Sequence, residues 1–186
     1  MPHLPDLTKR LLREEMEKSI SKSDQPGFIY AYFLVEDPSI AHHSGTQQHV
    51  FFKIGRASNP HRRMQEWQKQ CLFRAYLIET IPPTPPPSDS TDASLSDLPR
   101  CKYVKRAERL IHIELDSYRS SLTQCSNCRR VHREFFRVAR KSPAPPAVWR
   151  VPGQIEAMGF DAKSYEEVRS VIMRWVWFIE AIYGKA

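Results

Sequence analysis

Residues 50–64, Val-Phe-Phe-Lys-Ile-Gly-Arg-Ala-Ser-Asn-Pro-His-Arg-Arg-Met, constrain the fold more than any other stretch of the chain. Residues 50–54 are aromatic and branched apolar residues that read as a strand, and Gly55 ends it. Asn59-Pro60 then supplies a helix N-cap followed by proline at the first helical position. The helix is expected to run to Cys71, with Met64, Trp67 and Cys71 on its inner face. Upstream, residues 28–35 lie between Gly27 and Pro38 and read as another buried strand, carrying Tyr30 and Tyr32. A buried strand bearing phenols beside a helix bearing Arg62 and Arg63 is a setting suited to phosphodiester chemistry.

The rest of the chain alternates between periodic and polar segments. Leu7, Leu11, Leu12, Met16 and Ile20 share one helical stripe, so residues 6–22 are predicted to form an amphipathic helix within an N-terminal unit of residues 1–26. Residues 73–81 read as a third strand and residues 134–138 as a short closing one. Residues 82–99, rich in proline, serine and aspartate, carry too little apolar content to fold and are expected to be a disordered surface insertion. Residues 102–118 predict a helix with Val104, Ala107, Leu110, Ile111 and Leu115 on its apolar side. Glu108 and His112 interrupt it one turn apart, on a common face. After a proline-rich connector at 142–152, Ser164-Tyr-Glu-Glu167 reads as a capping box. It opens a last helix with the stripe Val168, Val171, Ile172, Trp175, Ile179 and Ile182. The predicted fold class is α/β of the α+β type, with a main domain at residues 27–140 and a connector and C-terminal helix, residues 141–186, packing on it.

Lysine and arginine number 28 against 21 acidic residues, a net charge of +7 among 186 residues. That balance favours a polyanionic partner, although a solvated basic surface accounts for the same numbers. The amino terminus lacks the apolar core of a signal peptide, and no segment reaches the roughly 18 apolar residues of a membrane span. The protein is therefore expected inside the cell, nuclear or cytoplasmic, without a membrane partner. In a reducing compartment the four cysteines are thiols or metal ligands rather than disulfides. Cys125-x-x-Cys128 followed by His132 has zinc-ligand spacing, and Cys71, chosen over Cys101, is the expected fourth ligand. Such a Zn²⁺ site would be structural, since four protein ligands leave no open position. Incidental thiols in a loop are the alternative.

Phe28-Ile-Tyr30, Lys53-Ile-Gly55, Arg63 and Glu108, in that order, resemble the GIY-YIG nuclease superfamily. With Arg62-Arg-Met64, residues 108–112, Cys125-x-x-Cys128, residues 132–136 and Trp175-Val-Trp177 added, the chain is similar to the bacteriophage T-five open-reading-frame DNA-binding branch common in fungal proteins. The resemblance covers about residues 27–138 and the last helix. It implies a three-stranded antiparallel sheet flanked by helices, a divalent metal (Mg²⁺ or Mn²⁺), single-site phosphodiester hydrolysis and a nucleic-acid partner, DNA ahead of RNA. It also implies that Tyr30 is the first-motif tyrosine, Gly55 the turn glycine, Arg63 the catalytic arginine and Glu108 the metal ligand. Lys53 stands where the second motif of that superfamily has tyrosine.

Physical chemistry gives these side chains matching roles. A free tyrosine titrates near a pKa of about 10, so Tyr30 as general base needs a positive field, for which Lys53 and Arg56 are candidates. Arg63 offers a planar fork for two phosphate oxygens, and the helix start at Asn59-Pro60 adds backbone donors beside His61, Arg62 and Arg63. These three, with Arg56, are the expected nucleic-acid contacts. Glu108 on an apolar helix suits a hard cation. Bland readings stand beside each: Tyr30 or Tyr32 packing the sheet, Arg63 solvated, Glu108 in a salt bridge, and His112 as a hydrogen-bonded core residue rather than a proton carrier. Three functions are compatible with these residues: a metal-dependent endonuclease, a nucleic-acid-binding module without chemistry, and a protein-interaction domain using residues 82–99.

Overall fold

A computed structural model describes residues 3–35, 48–71, 74–85, 95, 97–119, 128–132, 134–143 and 160–184. In chain order its elements are helix α1 (Asp6–Glu17), strands β1 (Phe28–Val35) and β2 (His49–Ala57), helix α2 (Pro60–Cys71) and strand β3 (Arg74–Ile81). Helix α3 (Val104–Glu114) comes next with a short 3₁₀ turn (Asp116–Tyr118), then strand β4 (Phe135–Ala139) and helix α4 (Ala162–Tyr183). The predicted loop at 37–49 and connector at 142–152 fall largely outside the described residues, as do Cys125 and most of 82–99.

The strands form one antiparallel sheet in the order β3-β1-β2-β4. It has four strands where the resemblance implied three. The fourth arises because Phe135–Ala139 pairs along the outer edge of β2, from His49 opposite Ala139 to Lys53 opposite Phe135. Alternation divides the side chains between two faces. Ile29, Ala31, Phe33, Val50, Phe52, Ile54, Phe136 and Val138 join the main core with α1, α3 and α4. Tyr30, Tyr32, Leu34 and Phe135 turn to the other face, where Trp67 and Cys71 of α2 cover them. A bulge between Ala31 and Tyr32 in the β1–β3 pairing lies next to Tyr30.

Local signals account for most element ends. Asn59 caps α2 as predicted, its Oδ1 accepting from the Arg62 amide at 3.0 Å. Helix α1 stops at Glu17 rather than residue 22, and of its predicted stripe Leu7 and Leu11 are exposed while Leu12 is buried. Two carbonyls beyond its end, Lys18 and Ser19, accept from the buried Arg106 guanidinium at 2.7 and 2.9 Å, which holds that segment extended against α3. The capping box also misplaces the start of α4. The helix begins at Ala162, and Ser164 donates instead to Ala139 O and to Asp161 Oδ2. Burial works against the charge of Asp161, but the Ser142 amide, the Ser164 hydroxyl and the Lys141 amide hold its carboxyl well below the usual carboxylate range. Along α4 the stripe from Val168 to Ile179 is buried and Ile182 is exposed. Among the described residues, no helix is long and apolar enough to cross a membrane.

Candidate functional site

Strand β4 stops opposite Lys53, so Gly55 and Arg56 lie on a part of β2 that β4 does not cover. Tyr30, paired with Gly55 across β1 and β2, lays its ring over that glycine, its hydroxyl oxygen 2.4 Å from where a side-chain carbon at position 55 would sit. Gly55 is therefore required by close approach rather than by backbone conformation. Tyr30 stacks on Tyr32 with ring centroids 4.5 Å apart, and the Tyr32 hydroxyl donates to Pro60 O at 2.6 Å, which fixes the stack against the start of α2.

Charged groups converge around this phenol. Burial pushes Tyr30 up to about 12, opposed by Arg63, whose guanidinium faces the hydroxyl, and by Arg56. The phenol is thus protonated at neutral pH, whereas a base role calls for a lowered value. Arg56 Nε donates to Glu108 Oε2 at 2.8 Å, so the carboxylate is reached by a cation from β2. Burial also pushes the Glu108 carboxyl up, against the pull of Arg56 and Lys53.

Lys53 is wholly buried, its Nζ 4.2 Å from the Trp67 ring centroid and 6.0 Å from that of Tyr30, and it contacts the carboxylate of the half-exposed Glu134. Burial brings its ammonium down to about 7, with Arg63 adding to the fall and Glu108 opposing it. His112 faces the same region, but a carbonyl only accepts, so its Nε2 donates to Ile54 O at 3.0 Å. Burial lowers His112 to about 4, which leaves a neutral, structurally engaged imidazole.

Glu108 opens into a groove of about 570 Å³ between the end of α1, α3 and the uncovered part of β2. Arg56, Lys105, Arg109 and Arg119 line it together with Glu108 and His112, and Glu15, Asp24 and Glu134 add acidic groups to the same wall. Of the predicted nucleic-acid contacts, Arg56 lies in this groove and Arg63 beside Tyr30. Arg62 is exposed on α2 and faces Glu66 at 3.7 Å, while His61 Nε2 meets Pro85 O at 3.0 Å. Lys105 and Arg109 were not among the expected contacts, although helical spacing places them on the polar side of α3 with Glu108 and His112. Arg119 lies beyond that helix, and Glu134 meets Lys53 only because β4 joins β2, so neither had a local signal.

On the α2 side, Cys71, Cys128 and His132 come together, their ligand atoms within 4.8 Å of one another. Cys101 lies apart, in the main core.

Residues 49–178, more than half of the chain, match the family model described as meiotically up-regulated gene 113. The chain belongs to that family. This corrects the resemblance to the GIY-YIG superfamily and its phage-type branch, because the family that matches is a different one. Among curated proteins, the chain is similar to the meiotically up-regulated gene 113 protein of Schizosaccharomyces pombe (strain 972 / ATCC 24843), 26% identical over 187 residues. That alignment covers 98% of the chain and 46% of the relative, so the chain spans about half the length of the curated protein it matches. No solved structure matches. The family assignment rests on residues that include β2, α2, α3, β4 and most of α4, and hence Lys53, Gly55, Arg63, Glu108 and the Cys71 cluster, while Tyr30 lies outside the matched range.

Proposed function

We propose that the chain binds the sugar–phosphate backbone of nucleic acid in the groove beside α3 and hydrolyses a phosphodiester bond at the uncovered part of β2, between Glu108 and Tyr30. The observation that carries this reading is the placement, at the uncovered part of β2, of the Arg56–Glu108 ion pair and of the Arg63 guanidinium facing the Tyr30 hydroxyl. Arg63 and Arg56 offer the donors that a phosphate and its transition state attract. Tyr30 accepts the proton of an attacking water once it has itself ionised, which requires more positive charge than the two arginines supply. Mg²⁺ or Mn²⁺ held by Glu108 would add that charge. As the water oxygen bonds to phosphorus, the bond from phosphorus to the leaving sugar oxygen breaks, and that oxygen takes a proton from solvent. Up-regulation in meiosis, which the relative's name records of its own gene, is carried to this chain as part of the same reading.

A second reading, a binding module without turnover, has specific support: Arg56 already engages Glu108, and burial keeps Tyr30 near 12. One experiment separates the two. Single-stranded, duplex and branched DNA and RNA are incubated with Mg²⁺ or Mn²⁺ and either the natural chain, Glu108→Ala or Tyr30→Phe. Cleavage falling by about 10²-fold or more in both variants, with salt-dependent binding retained, supports hydrolysis. Binding without cleavage by the natural chain supports the second reading, and no binding at low salt refutes both.

A further inference from the structure

The cluster on the α2 side plays no part in the proposed hydrolysis and is independent of it. His132 Nε2 lies 3.5 Å from Cys71 Sγ and 3.1 Å from Cys128 Sγ. A metal ion serves all three at once. Ligands at about 2.3 Å for sulfur and about 2.0 Å for nitrogen, set tetrahedrally about one centre, stand roughly 3.5–3.8 Å apart, and the three atoms here, all within 4.8 Å of one another, need only small shifts to reach that spacing.

The three ligands come from two separate parts of the fold. Cys71 is the last residue of α2, and Cys128 and His132 lie in the segment that leads into β4. Arg129, directly after Cys128, has a φ of 55°, the left-handed conformation uncommon outside glycine and asparagine. It turns the chain just where His132 comes back towards the Cys128 sulfur. Strain of this kind persists where surrounding interactions enforce it, and a shared metal is such an interaction.

We infer that Cys71, Cys128 and His132 hold a Zn²⁺ ion that clamps the end of α2 to the lead-in of β4. Soft thiolates with one imidazole select zinc over magnesium or calcium. The clamp also sets the floor of the neighbouring region. His132 packs on Trp67 at 4.7 Å and on Phe135 at 5.5 Å between ring centroids, and Trp67 in turn carries Lys53. Between Cys128 and His132, Arg129, Arg130 and Val131 are exposed and bury little apolar surface, and metal binding supplies a tie that burial there does not.

The test begins with the natural chain, which needs no variant to fold. Purified under reducing conditions with zinc present, it should retain one equivalent of zinc by elemental analysis, and chelation should lower its thermal midpoint. Exchange for Co²⁺ should produce the intense visible bands of a tetrahedral ion together with thiolate-to-cobalt charge transfer. Cys128→Ser should cut metal retention at least tenfold, whereas Cys101→Ser should retain it. A chain that keeps no zinc, a weak octahedral Co²⁺ spectrum, or full retention by Cys128→Ser would overturn the inference.

Discussion

Tyr30 and Gly55 occupy one space: the phenol lies across the glycine, with Oη 2.4 Å and Cζ 2.6 Å from the position that a Cβ of residue 55 would take. The glycine is the condition for the tyrosine's place, and through it for the approach of Arg63 to the Tyr30 hydroxyl.

Gly55→Ala therefore forces the Tyr30 ring out of its stack with Tyr32. Overpacking of this kind costs about 1–3 kcal/mol, and a chain of this size loses about 2–4 °C per kcal/mol. A thermal midpoint lower by roughly 2–12 °C is expected. An unchanged midpoint would mean that the ring shifts freely and is not fixed by its surroundings.

Lys53 keeps an ammonium group in a fully buried position, where desolvation opposes its charge. Lys53→Met keeps the stem that packs on Trp67 and removes the desolvated charge, while Glu134 is exposed enough to regain water. The variant should be as stable as the natural chain at neutral pH or more stable by up to about 3 kcal/mol, measured by urea denaturation. Because the folded lysine titrates near 7 and the unfolded one in the ordinary range, the unfolded chain holds more protons between those values. Stability of the natural chain should thus rise with pH across that window, and Lys53→Met should lack this part of the slope. A loss of more than about 1 kcal/mol at neutral pH would show that the charge contributes to the fold.

His112 gives the opposite end of the pH range its own signature. Its folded value is lowered to about 4, so as pH falls below the ordinary imidazole range the unfolded chain takes up the proton first. The stabilisation is fully present above that range and is lost as pH falls through about 4. His112→Gln should flatten this acid-side decline. Parallel declines in urea midpoint for the two chains between neutral pH and pH 4 would rule out His112 as its source.

Asp24 caps a helix far from it in sequence. Its two carboxylate oxygens accept from the Lys105 and Arg106 amides, at 2.8 and 2.9 Å, at the start of α3. Tyr103, at the N-cap position, makes no side-chain capping bond. Asp24→Ala should cost about 1–2 kcal/mol in chemical denaturation, and Asp24→Asn less, since an amide oxygen still accepts one bond. A cost under about 0.5 kcal/mol for the alanine variant would mean that solvent satisfies those amides equally well.

The match to another family shows where the sequence misled. Tyr30, Gly55, Arg63 and Glu108 are single residues separated by long stretches, and a pattern of that kind also arises in a chain of another family. Their convergence is a property of the tertiary structure, and the family is decided by the whole run of residues 49–178.

What the sequence determined by itself was local. The cap at Asn59, the buried strand residues of β1 and the apolar stripe of α3 are set by backbone sterics, side-chain alternation and helical period, which act within a few neighbouring residues. Only the tertiary structure decided that β4 pairs with the β2 edge, that Asp24 caps α3, that Leu7 and Leu11 face solvent, and that Lys53 lies under Trp67 beside Glu134. Each of these depends on which edges, amides and charges remain uncovered after the nearer elements have packed, a quantity no local window of residues contains.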